Sequence, residues 1–214
     1  MNTRGLLLTL DGPGGVGKTT THQVLAQALT LAGHQVLATV QPSRSSLGRR
    51  VRALGGTGEL AGRALALAVA ADRHHQLDTE IRPALDAGLT VLLDRYLPST
   101  LVLQRKDGVH TDFLLAINEG VLVPDLAVVL LADARTVHAR LESRGTRHRF
   151  ERTTDDTRRE LALYEEAIPI VERLGYPVLR LDVTSLTPQE VTGLILQRLR
   201  QSPATVESTI PQPR

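Results

Sequence analysis

Residues Gly12 to Thr19 read Gly-Pro-Gly-Gly-Val-Gly-Lys-Thr, and no other stretch restricts the fold of this chain as much. The stretch follows the apolar run Leu6–Leu10 and precedes a helical pattern over Thr19–Leu31. Glycines have no Cβ, so the backbone curls and its successive N–H groups turn toward an anion. The helix that follows adds its positive N-terminal end. The spacing is G-x-x-x-x-G-K-[ST], in which the lysine reaches the β- and γ-phosphates of a nucleotide and the hydroxyl binds Mg²⁺. Gly12, Gly14, Gly15, Val16, Gly17, Lys18, Thr19 and Thr20 are therefore the expected phosphate-binding residues. Lys18 is expected in a solvent-facing loop, and Thr19 on the metal.

The rest of the chain suits the sheet that such a loop requires. Four more short apolar runs read as buried strands: Gln35–Val40, Thr90–Leu93, Leu126–Leu131 and Val178–Leu181. Helical patterns over Leu60–Ala87, Leu101–Asn118, Ala134–Ser143, Thr157–Leu174 and Pro188–Leu199 separate them. Alternating strands and helices predict an α/β P-loop NTPase fold, a five-stranded parallel sheet with helices on both faces. Ligands in such sheets bind at the carboxyl ends of the strands. Asp11–Thr19, Gln41–Ser46 and Asp94–Tyr96 all fall there. The Pro/Ser/Thr-rich segment 202–214 has no apolar period and reads as a disordered tail to a kinase domain spanning 1–201.

Composition removes some alternatives. With no cysteine, the chain has no disulfide, thiolate metal site or Cys nucleophile, which suits a cytoplasmic protein. Aromatics are 2%, too few for the stacking surfaces of RNA or single-strand binders, so no nucleic-acid partner is expected. No apolar run is long enough to span a bilayer, and none reads as a targeting segment. No Asn-Lys-x-Asp motif of a GTPase occurs. The strand Val91-Leu92-Leu93 ends in Asp94-Arg95, not in the Asp-Glu common in ATPases. An acid beside a cation at a strand end can hold Mg²⁺ and an acceptor phosphate side by side, which suits transfer between two phosphorylated molecules.

Several further segments occur in a fixed order. They are Asp11-Gly12, Pro42 with Arg44 and Leu47-Gly48, Ala71-Asp72-Arg73, and Ile81-Arg82-Pro83 with Gly88. Asp94-Arg95-Tyr96-x-x-Ser99-Thr100-x-x-x-Gln104, Pro124-Asp125-Leu126, Arg140-Leu141, Arg144-Gly145 and Arg149-Phe150-Glu151 follow. In this order, from about Leu6 to Val183, the chain resembles the thymidylate kinases. The resemblance implies ATP and Mg²⁺ as cofactors, a nucleoside monophosphate such as dTMP as acceptor, and a homodimer. It implies that Arg44 and Arg95 hold the acceptor phosphate. Arg73 and Gln104 would face the base, with Tyr96 and Ser99 shaping the pocket. Asp94 would sit near Mg²⁺ and the transferring group. A short lid at about 144–156 would bring Arg144, Arg147 or Arg149 to the reaction, because this phosphate loop lacks an arginine. A guanidinium delivered by closure stabilises charge spread over the phosphoryl oxygens.

Four positions depart from the family's pattern, all on the acceptor side: Gly14, Gln41, Val69 and Leu103. Gly14 stands where a carboxylate often faces the sugar, Val69 where an aromatic stacks on thymine, and Leu103 where tyrosine is usual. Losing one base stack is worth about 1–3 kcal/mol. These departures leave open a kinase specialised for a modified nucleotide or another phosphorylated small molecule, with dTMP a poor acceptor. They also leave open a nucleotide-binding regulatory protein with little turnover.

Overall fold

The computed structural model describes residues 4–143 and 153–201. The expected lid arginines Arg144, Arg147 and Arg149, most of the lid segment and the tail lie outside the described residues. Five strands form one parallel sheet: β1 (Leu7–Asp11), β2 (Val36–Val40), β3 (Thr90–Asp94), β4 (Leu126–Leu131) and β5 (Val178–Asp182). Their order is β2-β3-β1-β4-β5. The chain leaves β1 to one side for β2 and β3, then crosses to the other for β4 and β5. The ends of β1 and its two neighbours thus form a crevice at the point where the winding reverses. Register places Leu10 opposite Asp94 and Asp11 opposite Val129.

Side chains alternate across a strand, so adjacent leucines serve different cores. Leu7, Val91, Leu93, Ala127 and Val129 pack on one face with helices α3 (Gly62–Gln76), α5 (Leu97–Lys106) and α8 (Thr154–Arg173). Leu8, Leu10, Leu92, Val128 and Leu130 pack on the other with α1 (Lys18–Leu31), α7 (Ala134–Ser143) and α9 (Pro188–Arg200). The three inner strands are almost wholly buried, which is why their sequences read as continuous apolar runs.

The helices differ from the expected pattern in three places. A helix α2 (Ser46–Thr57) stands where none is expected; Ser45 caps it, its side chain accepting from Gly48 N at 3.0 Å. The single long helix expected over Leu60–Ala87 is interrupted by a π-helical turn, Leu77–Ile81, before the short α4 (Arg82–Asp86). Arg82 N donates to Leu77 O there, and Pro83 has no N–H to continue an α-helical ladder. The helix expected over Leu101–Asn118 starts earlier, with Pro98 in its first turn, and stops at Lys106. Gly108, at φ 80°, then turns the chain into α6 (Thr111–Ala116).

Candidate active site

The phosphate loop leaves β1 at Asp11 and enters α1 at Lys18. Gly12 has φ 143°, and a Cβ there would lie 2.3 Å from the carbonyl oxygen of Leu130, so the turn admits no side chain. Thr19 and Thr20 are exposed at the start of α1. Lys18 is not in a solvent-facing loop as the sequence suggests. It is buried, and its Nζ donates to the carbonyls of Gly12 and Pro13, each at 2.6 Å. Burial, with Arg95 nearby, pulls its pKa down to about 7.

Asp11 ties the end of β1 to the start of α5. Its Oδ1 accepts from Tyr96 N and Ser99 N, both at 2.9 Å, and from Ser99 Oγ at 2.6 Å. Burial pushes the Asp11 carboxyl above the usual range, although these bonds oppose the shift. Tyr164 on α8 completes the joint, its hydroxyl 3.0 Å from Ser99 Oγ and donating to Gly12 O at 2.8 Å. Strand, loop and two helices are thereby bolted together around the first glycine of the loop.

Arg95, between β3 and α5, is the one described non-glycine residue with positive φ, at 72°. Such a conformation costs about 1–3 kcal/mol and persists only where the surroundings impose it. Here Arg95 N donates to Leu10 O at 2.8 Å, pinning the residue to β1. Its Nη1 reaches Gly12 O at 3.5 Å and Ser99 Oγ at 3.4 Å. Burial opposes its charge, but Tyr164, Asp94, Glu160 and Asp11 together hold its pKa above the ordinary value. A cation is therefore fixed between the phosphate loop and the space beyond it.

That space is a cavity of about 300 Å³ between α2, α3 and α5. Val69, Arg73, Arg95, Tyr96, Ser99, Leu103 and Gln104, all proposed from sequence for the acceptor, line it together. Arg73 is buried at its inner end. Nε donates to Gln41 Oε1 at 2.8 Å, Nη2 to Thr100 Oγ1 at 2.7 Å, and Nη1 to Asn118 Oδ1. Its guanidinium lies 5.3 Å over the Tyr96 ring. Burial lowers its pKa. Gln41, one of the four departures, thus orients Arg73, and its own Nε2 donates to Gln76 Oε1 at 3.1 Å.

Two features were missed in the sequence. Arg52 on α2 lines the cavity, whereas Arg44 does not: Arg44 is exposed, with Nη1 3.5 Å from Ala38 O. Val51 and Leu54 mark one face of a helix after Ser45, and that spacing could have revealed α2 and so Arg52. Glu160 on α8 also lines the cavity, though its distance in sequence from every motif hides it. The turn before α2 is set by Asp72, which accepts from Ser43 N at 2.5 Å and from Ser43 Oγ at 2.6 Å. Gly48 lets α2 close onto that turn; a Cβ would lie 2.3 Å from Ser43 O.

Phosphate loop and cavity meet at Arg95, which contacts the one and lines the other, at the crevice. The sequence pattern of the family described as Thymidylate kinase matches residues 10–173, which contain every element of that site. The chain belongs to the thymidylate kinase family. It is 41% identical to a thymidylate kinase of Clavibacter sepedonicus over 155 residues, covering 69% of this chain and 72% of that one. The figures for a thymidylate kinase of Leifsonia xyli are 41% over 154 residues, 69% and 73%. For one of Xanthomonas euvesicatoria they are 36% over 155 residues, 72% and 69%. This family member is a nucleoside monophosphate kinase of the P-loop class, and no helix among its described residues is long and apolar enough to cross a membrane.

The site residues also fit a hard cation. Asp94 Oδ1, at the end of β3, and Asp11 Oδ2, at the end of β1, are buried oxygens with no hydrogen-bond partner among the described residues. With the exposed Thr19 hydroxyl they make an all-oxygen donor set of the kind Mg²⁺ takes alongside nucleotide phosphates. No group of three or more His, Cys, Asp or Glu able to hold a metal without such phosphates occurs among the described residues.

Proposed function

We propose that this thymidylate kinase family member transfers the γ-phosphoryl group of ATP to the phosphate of dTMP, giving dTDP and ADP. The observation that carries this is the position of Arg95. Its guanidinium contacts the phosphate loop at Gly12 and also lines the acceptor cavity, so two phosphates can meet on either side of one cation. Lys18 turns from the carbonyls of Gly12 and Pro13 to the ATP phosphates, as the loop N–H groups cradle them. Thr19 and Asp94 would hold Mg²⁺, with Asp11 Oδ2 a further unpaired oxygen at the end of β1; the ion would supply charge neutralisation on the phosphates. Arg95 orients the acceptor phosphate, and Arg52, which also lines the cavity, adds a second cation there. Arg73, held rigid by Gln41, Thr100 and Asn118, presents its remaining donors to the base, with Gln104, Val69 and Leu103 around it. Because these groups are positioned before the substrate arrives, little reorganisation is left for the transfer itself. Arg144, Arg147 and Arg149 remain the proposed source of a closing catalytic cation. The enzyme works as a homodimer in the cytoplasm.

A steady-state assay with ATP, Mg²⁺ and a panel of nucleoside monophosphates and sugar phosphates tests this. The expected result is dTMP turnover with kcat/KM on the order of 10⁴ M⁻¹s⁻¹ or above. Nucleotide binding with no transfer to any acceptor would instead make the chain a regulatory protein. The small side chains at Gly14, Val69 and Leu103 favour one second reading, in which another phosphorylated acceptor outperforms dTMP. The same panel ranks the two.

A further inference from the structure

Within the cavity read above as the acceptor pocket, two buried acceptor oxygens have no hydrogen-bond partner among the described residues: Glu160 Oε1 and Gln104 Oε1. Both residues line the cavity, and both are buried, at 3% and 4% exposed. Glu160 is held in place through its other oxygen. Lys106 Nζ, on α5, donates to Glu160 Oε2 at 3.0 Å, and the side chains of this ion pair are 5% and 3% exposed. A second ion pair between the same helices, Arg105 to Glu166 at 2.5 Å, lies one residue away on α5 and fixes their alignment.

A buried carboxylate oxygen left unpaired is costly, and such a group persists where a ligand completes it. Lys106 occupies one side of the Glu160 carboxylate, so Oε1 is the acceptor left for a ligand. An orphaned carboxylate oxygen accepts and cannot donate. What it selects is therefore an O–H or N–H on the bound molecule. Glu160 shares the cavity lining with Arg95, whose guanidinium also contacts the phosphate loop.

We infer that Glu160, fixed by Lys106, is a specificity-determining residue of the phosphoryl-transfer reaction, accepting a hydrogen bond at Oε1 from a donor on the acceptor nucleotide. The inference rests on reading the cavity as the acceptor pocket. The donor is a sugar hydroxyl or an N–H of the base. Gln104 Oε1 offers the second acceptor of the same pocket.

The test compares pairs of acceptors that differ by one donor. dTMP against its 3′-deoxy analogue probes the 3′-hydroxyl, ribothymidine monophosphate against dTMP the 2′-hydroxyl, and dTMP against its N3-methyl analogue the base N–H. For the pair that Glu160 reads, the wild type favours the donor-bearing acceptor by about 10- to 100-fold in kcat/KM, the range for a hydrogen bond to a charged group. Lys106→Met/Glu160→Met removes both charges together, so neither is left buried alone. That ratio then falls to within about twofold. Glu160→Gln keeps a bond to Lys106 and gives an intermediate ratio. A purely structural ion pair would slow every acceptor by one factor and leave all three ratios unchanged, which would overturn the inference. Should neither variant fold, the wild type decides: no preference in any of the three pairs is equally fatal. Turnover of no acceptor at all would bring down the functional reading and this one together.

Discussion

The Lys18 ammonium is enclosed with two carbonyls and the Arg95 guanidinium nearby, and burial brings its pKa from 10.5 down to about 7. Between these two values the unfolded chain binds a proton that the folded chain does not. Stability therefore rises with pH across this window as far as Lys18 is concerned, because a depressed lysine pKa penalises folding below it. ATP reverses the shift, since phosphate charge beside the ammonium restores its proton. At about pH 8, ATP binding to the wild type is expected to take up a proton, read by calorimetry in buffers of different ionisation enthalpy. Lys18→Met should lose most of that uptake and the pH slope of stability with it. Equal uptake in the variant would assign the proton to another group. Lys18 was legible from its motif alone, but its burial was not, because the motif specifies a neighbour sequence and not the depth of the crevice around it.

At the scale of elements, α2 is the piece that gives the acceptor cavity one of its walls. Its start depends on the closeness of Gly48 to Ser43, and on Asp72 holding the Ser43 turn. Gly48→Ala should push α2 away from that turn, at a cost of about 1–3 kcal/mol in stability, the usual range for overpacking. The expected kinetic signature is a raised KM for the acceptor with little change in the KM for ATP, since α1 and the phosphate loop are untouched. A denaturant midpoint and two KM values check it; an unchanged acceptor KM would detach α2 from the site. Sequence patterning located the three inner strands because burial on both faces leaves a continuous apolar run, and the two edge strands, only partly buried, as short runs bounded by polar or turn residues. It misjudged the helices around the cavity. Gly55, Gly56 and a run of arginines weaken the apolar period of α2, and the Ala/Leu-rich stretch from Leu60 conceals the π-helical turn before Pro83.

For the molecule as a whole, one helix face has nothing packed on it within the described chain. On α3, Leu65 and Val69 face the cavity, while Ala64, Leu67 and Ala71 recur at helical spacing and are exposed, Leu67 at 50%. Small residues flanking a leucine allow a second helix to approach closely, so this face suits the proposed homodimer. Leu67→Glu should shift the protein toward monomer in sedimentation velocity without lowering its thermal midpoint as monomer. A wild type that sediments as a monomer at micromolar concentration would refute the assignment of this face.

The phosphate loop, the parallel sheet and the Asp94-Arg95-Tyr96 strand end were readable from the amino-acid order, because each is a local pattern whose spacing carries its own geometry. The bonds that give the site its character join residues far apart in the chain. Asp11 meets Ser99, Arg73 meets Asn118, and Lys106 meets Glu160. Side-chain pairs of this kind leave no period to detect and depend on the strand order β2-β3-β1-β4-β5 to bring their helices side by side. Which arginine faces the cavity, what orients Arg73 and which oxygens are left unpaired for a ligand follow from that packing, where hydrogen-bond satisfaction is settled over the whole buried volume at once.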